Sequence, residues 1–172
     1  MRRVRYSVAM SLDGYIADPK GGYDWIVMDP EMDFGAMFKQ YDTVLMGRKS
    51  YDMARAQGGG GETGEMKTYV FSHTLLQEDC PDVTVSHDPK RTVAELKRQT
   101  GKDIWLFGGG ELFRSLLELR LVDAVQVGLV PVLLGGGLPM LPNPATLAEL
   151  KLTSHHVYPK TGTILLDYSV RQ

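Results

Sequence analysis

The sequence predicts an α/β protein of three layers: a mostly parallel central sheet with helices on both faces and an antiparallel hairpin at the C-terminus. Three observations carry this expectation. Short apolar runs alternate with segments of helical period through most of the 172 residues, and such alternation builds a parallel sheet covered on both sides. The alternation stops at the end, where two strand-like runs, Leu150–Tyr158 and Thr163–Val170, flank a turn from Pro159 to Gly162. The length suits one domain, residues 1–172, with a sizeable core; two domains would be cramped.

Each element has its own signal. Val4, Tyr6, Val8, Met10 and Leu12 repeat with period two, a strand that ends at Asp13-Gly14. Asp29 before Pro30 reads as an N-cap with proline at the first helical position, opening a helix to Gln40 with Phe34, Met37 and Phe38 on one face. Thr43 to Met46 is a short buried strand stopped by Gly47, followed by a helical turn through Tyr51 and Met53. Residues 58–64 read as a mobile glycine loop that closes over a ligand or simply crosses the surface. The runs 67–72 (KTYVFS) and 83–86 (VTVS) are strands, and Thr92-Val93-Ala94-Glu95 fits a capping box opening a helix to about Gln99. Residues 104–107 are a strand, 108–110 a turn, and 111–119 a helix with Leu112, Phe113, Leu116 and Leu117 inward. Ala124–Val130 is the next strand. In such a sheet ligands gather at the carboxyl ends of strands, which marks Asp13, Gly47, Ser72 and Gly108.

Composition removes several function classes. With 19 Lys+Arg against 21 Asp+Glu, bulk basic charge cannot carry nucleic-acid binding. No apolar stretch reaches 18 residues, and Ser7, Ser11 and Asp13 interrupt the N-terminal segment, so neither a membrane span nor a signal peptide is expected. A single cysteine, Cys80, excludes an intramolecular disulfide and fits a reducing, cytoplasmic setting. The carboxylates around it, Glu78, Asp79 and Asp82, disfavour a thiolate nucleophile. The histidines at 73, 87, 155 and 156 lack metal-ligand spacing, so no metal is expected.

Glycine is the residue in excess, and its clusters are informative. Eleven of the 19 glycines lie in 58–64, 108–110 and 135–137. In Ile104-Trp105-Leu106-Phe107-Gly108-Gly109-Gly110-Glu111-Leu112-Phe113 a buried strand runs through three glycines straight into a helix. Side-chain-free backbone lets a pyrophosphate reach main-chain N–H groups, and the helix start adds unsatisfied donors and partial positive charge. A tight turn would need only one glycine. Met46-Gly47-Arg48-Lys49-Ser50 repeats the plan with a guanidinium fork, an ammonium and a hydroxyl, all suited to phosphate oxygens. Ser72-His73-Thr74 ends a neighbouring strand. Two literal matches fail on context. Gly59 to Gly64 fits G-x-G-x-x-G but follows a helix, and Lys49-Ser50 lacks the earlier glycine of a P-loop. Phosphate turns without a protein nucleophile point to chemistry carried by a cofactor.

Five ordered segments resemble a known superfamily. Ser11-Leu12-Asp13-Gly14-Tyr15-Ile16-Ala17, Leu45-Met46-Gly47-Arg48-Lys49-Ser50-Tyr51, Phe71-Ser72 and residues 105–112 are similar to the dihydrofolate reductase-like proteins. Val130-Pro131-Val132-Leu133-Leu134-Gly135-Gly136-Gly137-Leu138-Pro139 resembles the reductase domain of the bifunctional riboflavin-biosynthesis deaminase–reductase. The resemblance implies that fold and an NADPH-dependent reductase acting on a small molecule, a ribosyl-pyrimidine in the riboflavin pathway. It puts Gly108, Gly109, Gly110, Glu111 and Leu112 at the cofactor pyrophosphate. Gly47, Arg48, Lys49 and Ser50, with Ser72, fall at the pyrophosphate and 2′-phosphate, and Ala9, Ile16 and Ala17 beside the nicotinamide.

One position departs from the pattern. Dihydrofolate reductases carry a carboxylate in the first helix, four residues before a Phe-Lys pair; anchored on Phe38-Lys39, that place holds Phe34. Phe34 and Phe38 are therefore expected at the substrate, with Asp33, or Glu31, as the nearest acid. Asp13 is the other candidate for substrate contact or proton relay, or else a turn-forming Asp-Gly. No basic cluster beyond the cofactor turns answers a substrate phosphate. A dihydrofolate or pterin reductase and an NADPH-binding protein without turnover are the alternative readings. The apolar stretch from Val130 to Leu141, like the resemblance, leads us to expect a homodimer.

Overall fold

The chain runs β1 (Val4–Ser11), β2 (Tyr15–Ala17), α1 (Phe34–Phe38), β3 (Tyr41–Gly47), α2 (Arg48–Ala56), β4 (Lys67–Phe71), β5 (Thr84–Ser86) and α3 (Pro89–Arg98). It continues through β6 (Asp103–Gly108), α4 (Gly110–Glu118), β7 (Ala124–Val130), β8 (Leu138–Pro139), β9 (Leu150–Tyr158) and β10 (Thr163–Val170). The structure, a computed structural model, describes residues 1–58 and 66–171. Eight strands form one sheet in the order β5-β4-β3-β6-β1-β7-β10-β9, and β2 pairs separately with β8. From β5 to β7 every neighbour is parallel. β10 runs antiparallel to both β7 and β9, so the C-terminal hairpin closes a mostly parallel sheet, as the sequence predicts.

Strand alternation sends side chains to two separate cores. On one face Val4, Tyr6, Ile104 and Leu106 meet Val93 and Leu96 of α3 and Leu112, Phe113 and Leu116 of α4. On the other, Val44, Met46 and Val70 meet Tyr51 of α2, with Trp105 and Phe107 packed against them. Residues two apart on β6 thus serve different layers, which is the period of a strand covered on both sides. At the N-terminal ends of the strands Lys97 Nζ pairs with Asp123 at 2.7 Å, and the same carboxylate accepts the Val4 N–H at 2.8 Å. This fixes α3 to the sheet far from the glycine turns.

Two helix starts differ from expectation. Asp29 does not cap a helix; it is buried, and its carboxylate accepts from Glu31 N and Thr161 Oγ1, each at 2.9 Å. Burial opposes its ionisation, yet those donors hold its carboxyl below the usual range. With Asp29 committed to the turn between β9 and β10, the helix begins only at Phe34. Asp33 is its cap, accepting Ala36 N–H at 2.8 Å. Likewise α3 starts at Pro89 with Asp88 accepting Arg91 N–H at 2.9 Å, while the Thr92 hydroxyl sits 2.8 Å from Ser86 Oγ. Proline at the first helical position outweighed the capping-box pattern.

The stretch after β7 is tied to the segment after β1. Leu12 N–H donates to Val132 O at 2.9 Å, and Tyr15 and Ala17 pair with Pro139 and Leu138. Gly137 sits at φ +148, and a Cβ there would strike Ala17 O. Met140 and Leu141 pack on the α4-side core, leaving Leu133 and Leu138 exposed. Of the glycine loop expected over 58–64, residues 59–64 lie outside the described residues. No helix among the described residues is long and apolar enough to cross a membrane.

Tyr6 is fully buried beneath Gly108 and stacks on Phe113 with ring centres 3.9 Å apart. Its hydroxyl has no hydrogen-bond partner among the described residues, and burial pushes its pKa far above the ordinary tyrosine value. Such a phenol leaves stability independent of its ionisation below about pH 10, where the unfolded chain begins to ionise, and costs the fold stability as pH rises further. Tyr6→Phe is therefore expected to stabilise the fold by about 1 kcal/mol at pH 7 and to flatten the alkaline loss above pH 10. Urea titrations at both pH values check this; a destabilised variant would mean that the hydroxyl is satisfied.

Candidate active site

The carboxyl ends of β1, β3 and β6 open on a cleft of about 1260 Å³. Its floor on one side is two facing glycine turns. A Cβ on Gly47 would lie 3.8 Å from both Gly108 O and Gly109 N, and one on Gly109 would lie 3.5 Å from Ser50 Oγ. Gly47 caps α2 and Gly109 caps α4, and among the described residues neither helix has a side-chain cap hydrogen bond. Two helix starts, each preceded by a glycine cap, face each other here, and a helix start carries unsatisfied donors and partial positive charge. The peptide bond between Gly108 and Gly109 is cis. Gly110 is squeezed from outside: a Cβ there would approach Pro139 O to 2.9 Å and Met140 O to 3.1 Å.

The predicted cofactor positions come together here. Arg48, Lys49 and Ser50 line the cleft from α2, Ser72 from the end of β4, and Gly109, Gly110, Glu111 and Leu112 from α4. Ala9, Ile16 and Ala17 line it from β1 and β2. Gly108 lies beneath the lining at φ +119, where a Cβ would stand 3.5 Å from the Tyr6 ring. The Arg48 guanidinium, on the surface, is bracketed by Asp52 at 2.8 and 3.0 Å. Ser72 Oγ accepts from Thr74 N and Leu75 N at 3.2 and 3.1 Å.

The sequence reading missed several lining residues. Ser86 and His87 end β5 beside Ser72 and His73, and the carboxyl-end rule applied to that strand would have found them. Gly128, mid-strand in β7, lies against Ala9, where a Cβ would come 3.9 Å from its Cα. A glycine inside a strand is the sign of such a close approach.

At the far end the lining changes character. Phe38 of α1 faces Trp105 with ring centres 5.1 Å apart, and the Phe34 ring lies 6.3 Å from that of Phe38. Asp33 and Glu31 border this end together with Gln40, Ser7 and Gln126. Ser7 Oγ donates to Gln126 Oε1 at 2.9 Å, and Gln126 Nε2 donates to Asp167 Oδ1 at 2.8 Å. Asp13 stands apart from the lining. Its carboxylate accepts from Ser11 Oγ at 2.7 Å, Leu134 N at 3.1 Å and Gly135 N at 2.7 Å. The Ser11 hydroxyl first, then those N–H groups, hold it below the usual carboxylate range. The geometry gives Asp13 the work of clamping the 134–135 turn and leaves Asp33 and Glu31 as the predicted acids that border the cleft. No cluster that could hold a metal exists among the described residues.

Comparison with known proteins agrees with this architecture. The family model for the RibD C-terminal domain matches residues 2–164. The Bacillus subtilis protein YyaP is 33% identical over 178 residues, covering 97% of this chain and 94% of its own. A putative riboflavin biosynthesis protein from Shewanella sp. PV-4 superposes with a TM-score of 0.83 at 24% identity, covering both chains completely. The Thermotoga maritima diaminohydroxyphosphoribosylaminopyrimidine deaminase/5-amino-6-(5-phosphoribosylamino)uracil reductase gives 0.72 at 18% identity, over 99% of this chain and 57% of the other. Enterococcus faecalis dihydrofolate reductase complexed with NADP(H) gives 0.71 at 14% identity, over 99% and 97%. The three structures share its fold.

Proposed function

The chain belongs to the RibD C-terminal domain family, and from that premise we propose that it is an NADPH-dependent oxidoreductase reducing a small heterocyclic substrate. The observation that carries the proposal is the pair of glycine-capped helix starts meeting across Gly47 and Gly109. A dinucleotide pyrophosphate supplies the acceptors those N–H groups lack. Arg48, Lys49, Ser72 and His87 at the neighbouring strand ends suit a ribose 2′-phosphate, which favours NADPH over NADH.

The rest of the cleft then has assignable work. Ala9 and Gly128 offer a flat, nearly side-chain-free floor for a nicotinamide, with Ile16 and Ala17 beside it. When bound, that ring supplies the hydride. Phe34, Phe38 and Trp105 hold a planar substrate and exclude water around the receiving carbon. Asp33 is the carboxylate assigned to substrate contact or proton supply.

A thermal melt tests the reading. A ligand at about 100 times its dissociation constant adds about 2.7 kcal/mol, which raises the melting temperature of a chain this size by roughly 5–10 °C. NADPH is expected to give such a shift and NADH a smaller one. No shift with either would leave both glycine turns as purely structural features and end the proposal.

A further inference from the structure

Resting on the reductase reading above, we infer that the substrate is an unphosphorylated, uncharged or cationic ring that presents hydrogen-bond donors, and that this cleft rejects phosphate esters at its substrate end.

The distribution of charge carries the first half. Among the described residues lining the cleft, Arg48 and Lys49 are the only lysine or arginine, and both sit at the start of α2 beside the glycine turns. Of the cations near the other end, Lys39 lies outside the lining and two others are already engaged. Arg5 lies behind the wall, 2.7 Å from Gln40 Oε1 and 3.6 Å from Asp167, with its guanidinium 5.6 Å above the Tyr41 ring. Lys160 at the rim pairs with Glu31 at 3.0 Å. Residues 59–65 contribute no lysine or arginine from their sequence. The start of α1 is no refuge for an anion, because the Asp33 carboxylate already occupies it. A phosphate dianion placed here would meet Glu31 and Asp33 across aromatic walls, with no partner to offset its desolvation.

Proton bookkeeping along the wall carries the second half. An ionised carboxylate can only accept, so the two amide protons of Gln126 belong on the Asp167 side, and Ser154 donates to the other Asp167 oxygen at 2.9 Å. Gln126 therefore turns its carbonyl oxygen to Ser7, whose single hydroxyl proton is spent on it. What Ser7 has left is lone pairs. With the carboxylates of Glu31 and Asp33 at this end, Ser7 belongs to a set of acceptors that calls for N–H, NH2 or O–H groups on the ring, while Gln40, its oxygen taken by Arg5, keeps its amide to donate. A site built to pair with such donors discriminates strongly against analogues that lack them.

Matched probes on the NADPH-saturated protein test this. 5-Amino-6-ribosylaminouracil and riboflavin are each compared with their own 5′-phosphates by thermal shift and by competition. Each unphosphorylated form that binds is expected to do so at least about 10-fold more tightly than its ester, and Asp33→Asn is expected to narrow that ratio. Equal or tighter binding of the esters overturns the inference. So does failure of both unphosphorylated rings to bind a protein that still responds to NADPH. Loss of the NADPH response itself would instead strike the reductase reading, so the two failures are separable.

Discussion

Phe113→Ala lowers the unfolding free energy by about 3–5 kcal/mol and the melting temperature by roughly 10 °C. Phe113 is 2% exposed and fills the junction between α4 and the sheet, stacked on Tyr6. Tyr6 in turn supports Gly108, and Leu112 on the same helix reaches the Gly47 turn, where its Cβ lies 3.8 Å from a Cβ position on Gly47. Truncation removes an aromatic side chain from a layer closed on both sides by secondary structure, so little can collapse into the space. The start of α4 loses its anchor along with the core. Urea titration measures the stability term, and an NADPH titration well below the melting point measures the second. A loss under about 1 kcal/mol would mean that the layer repacks.

Arg48→Ala weakens NADPH binding by about 10–100-fold and leaves NADH within a few-fold, as expected for the loss of one or two charge-assisted hydrogen bonds to a phosphate. Arg48 pairs with Asp52 four residues on, and both side chains are substantially exposed. The substitution therefore strands no buried charge and is expected to leave the fold intact. Parallel titrations with the two nucleotides decide the matter. An equal fall for both would move Arg48 from the 2′-phosphate to the pyrophosphate.

Much of this was legible because local chemistry and tertiary context agree. β7 and the hairpin strands β9 and β10 fall on the residues their patterns mark, since alternation and the Pro159–Gly162 turn specify the same register. The 108–110 turn was legible because φ +119 at Gly108 and the close approach of Pro139 O to Gly110 leave no place for a side chain. Asp29 was misread because an Asp-Pro pair carries no trace of Thr161, more than a hundred residues away, competing for its carboxylate. Asp13 kept two readings in the sequence, proton relay or turn, because its partners Leu134 and Gly135 donate through backbone, which no side-chain pattern records. The pairing of β2 with β8 escaped notice because it spans three residues and two, too few for any period to show.

The two cores on opposite faces of the sheet have a consequence for how this scaffold can diversify. The helix that would hold the 2′-phosphate leans on the layer around Tyr51, Val44 and Val70, whereas the helix at the pyrophosphate leans on the layer around Phe113 and Leu106. Substitutions at the exposed Arg48 and Lys49 would therefore retune the proposed choice between the two nicotinamide nucleotides while leaving the core beneath α4 in place. On the proposed reading, such separability would make coenzyme preference an evolvable trait, open to selection by a few changes on one side of the sheet.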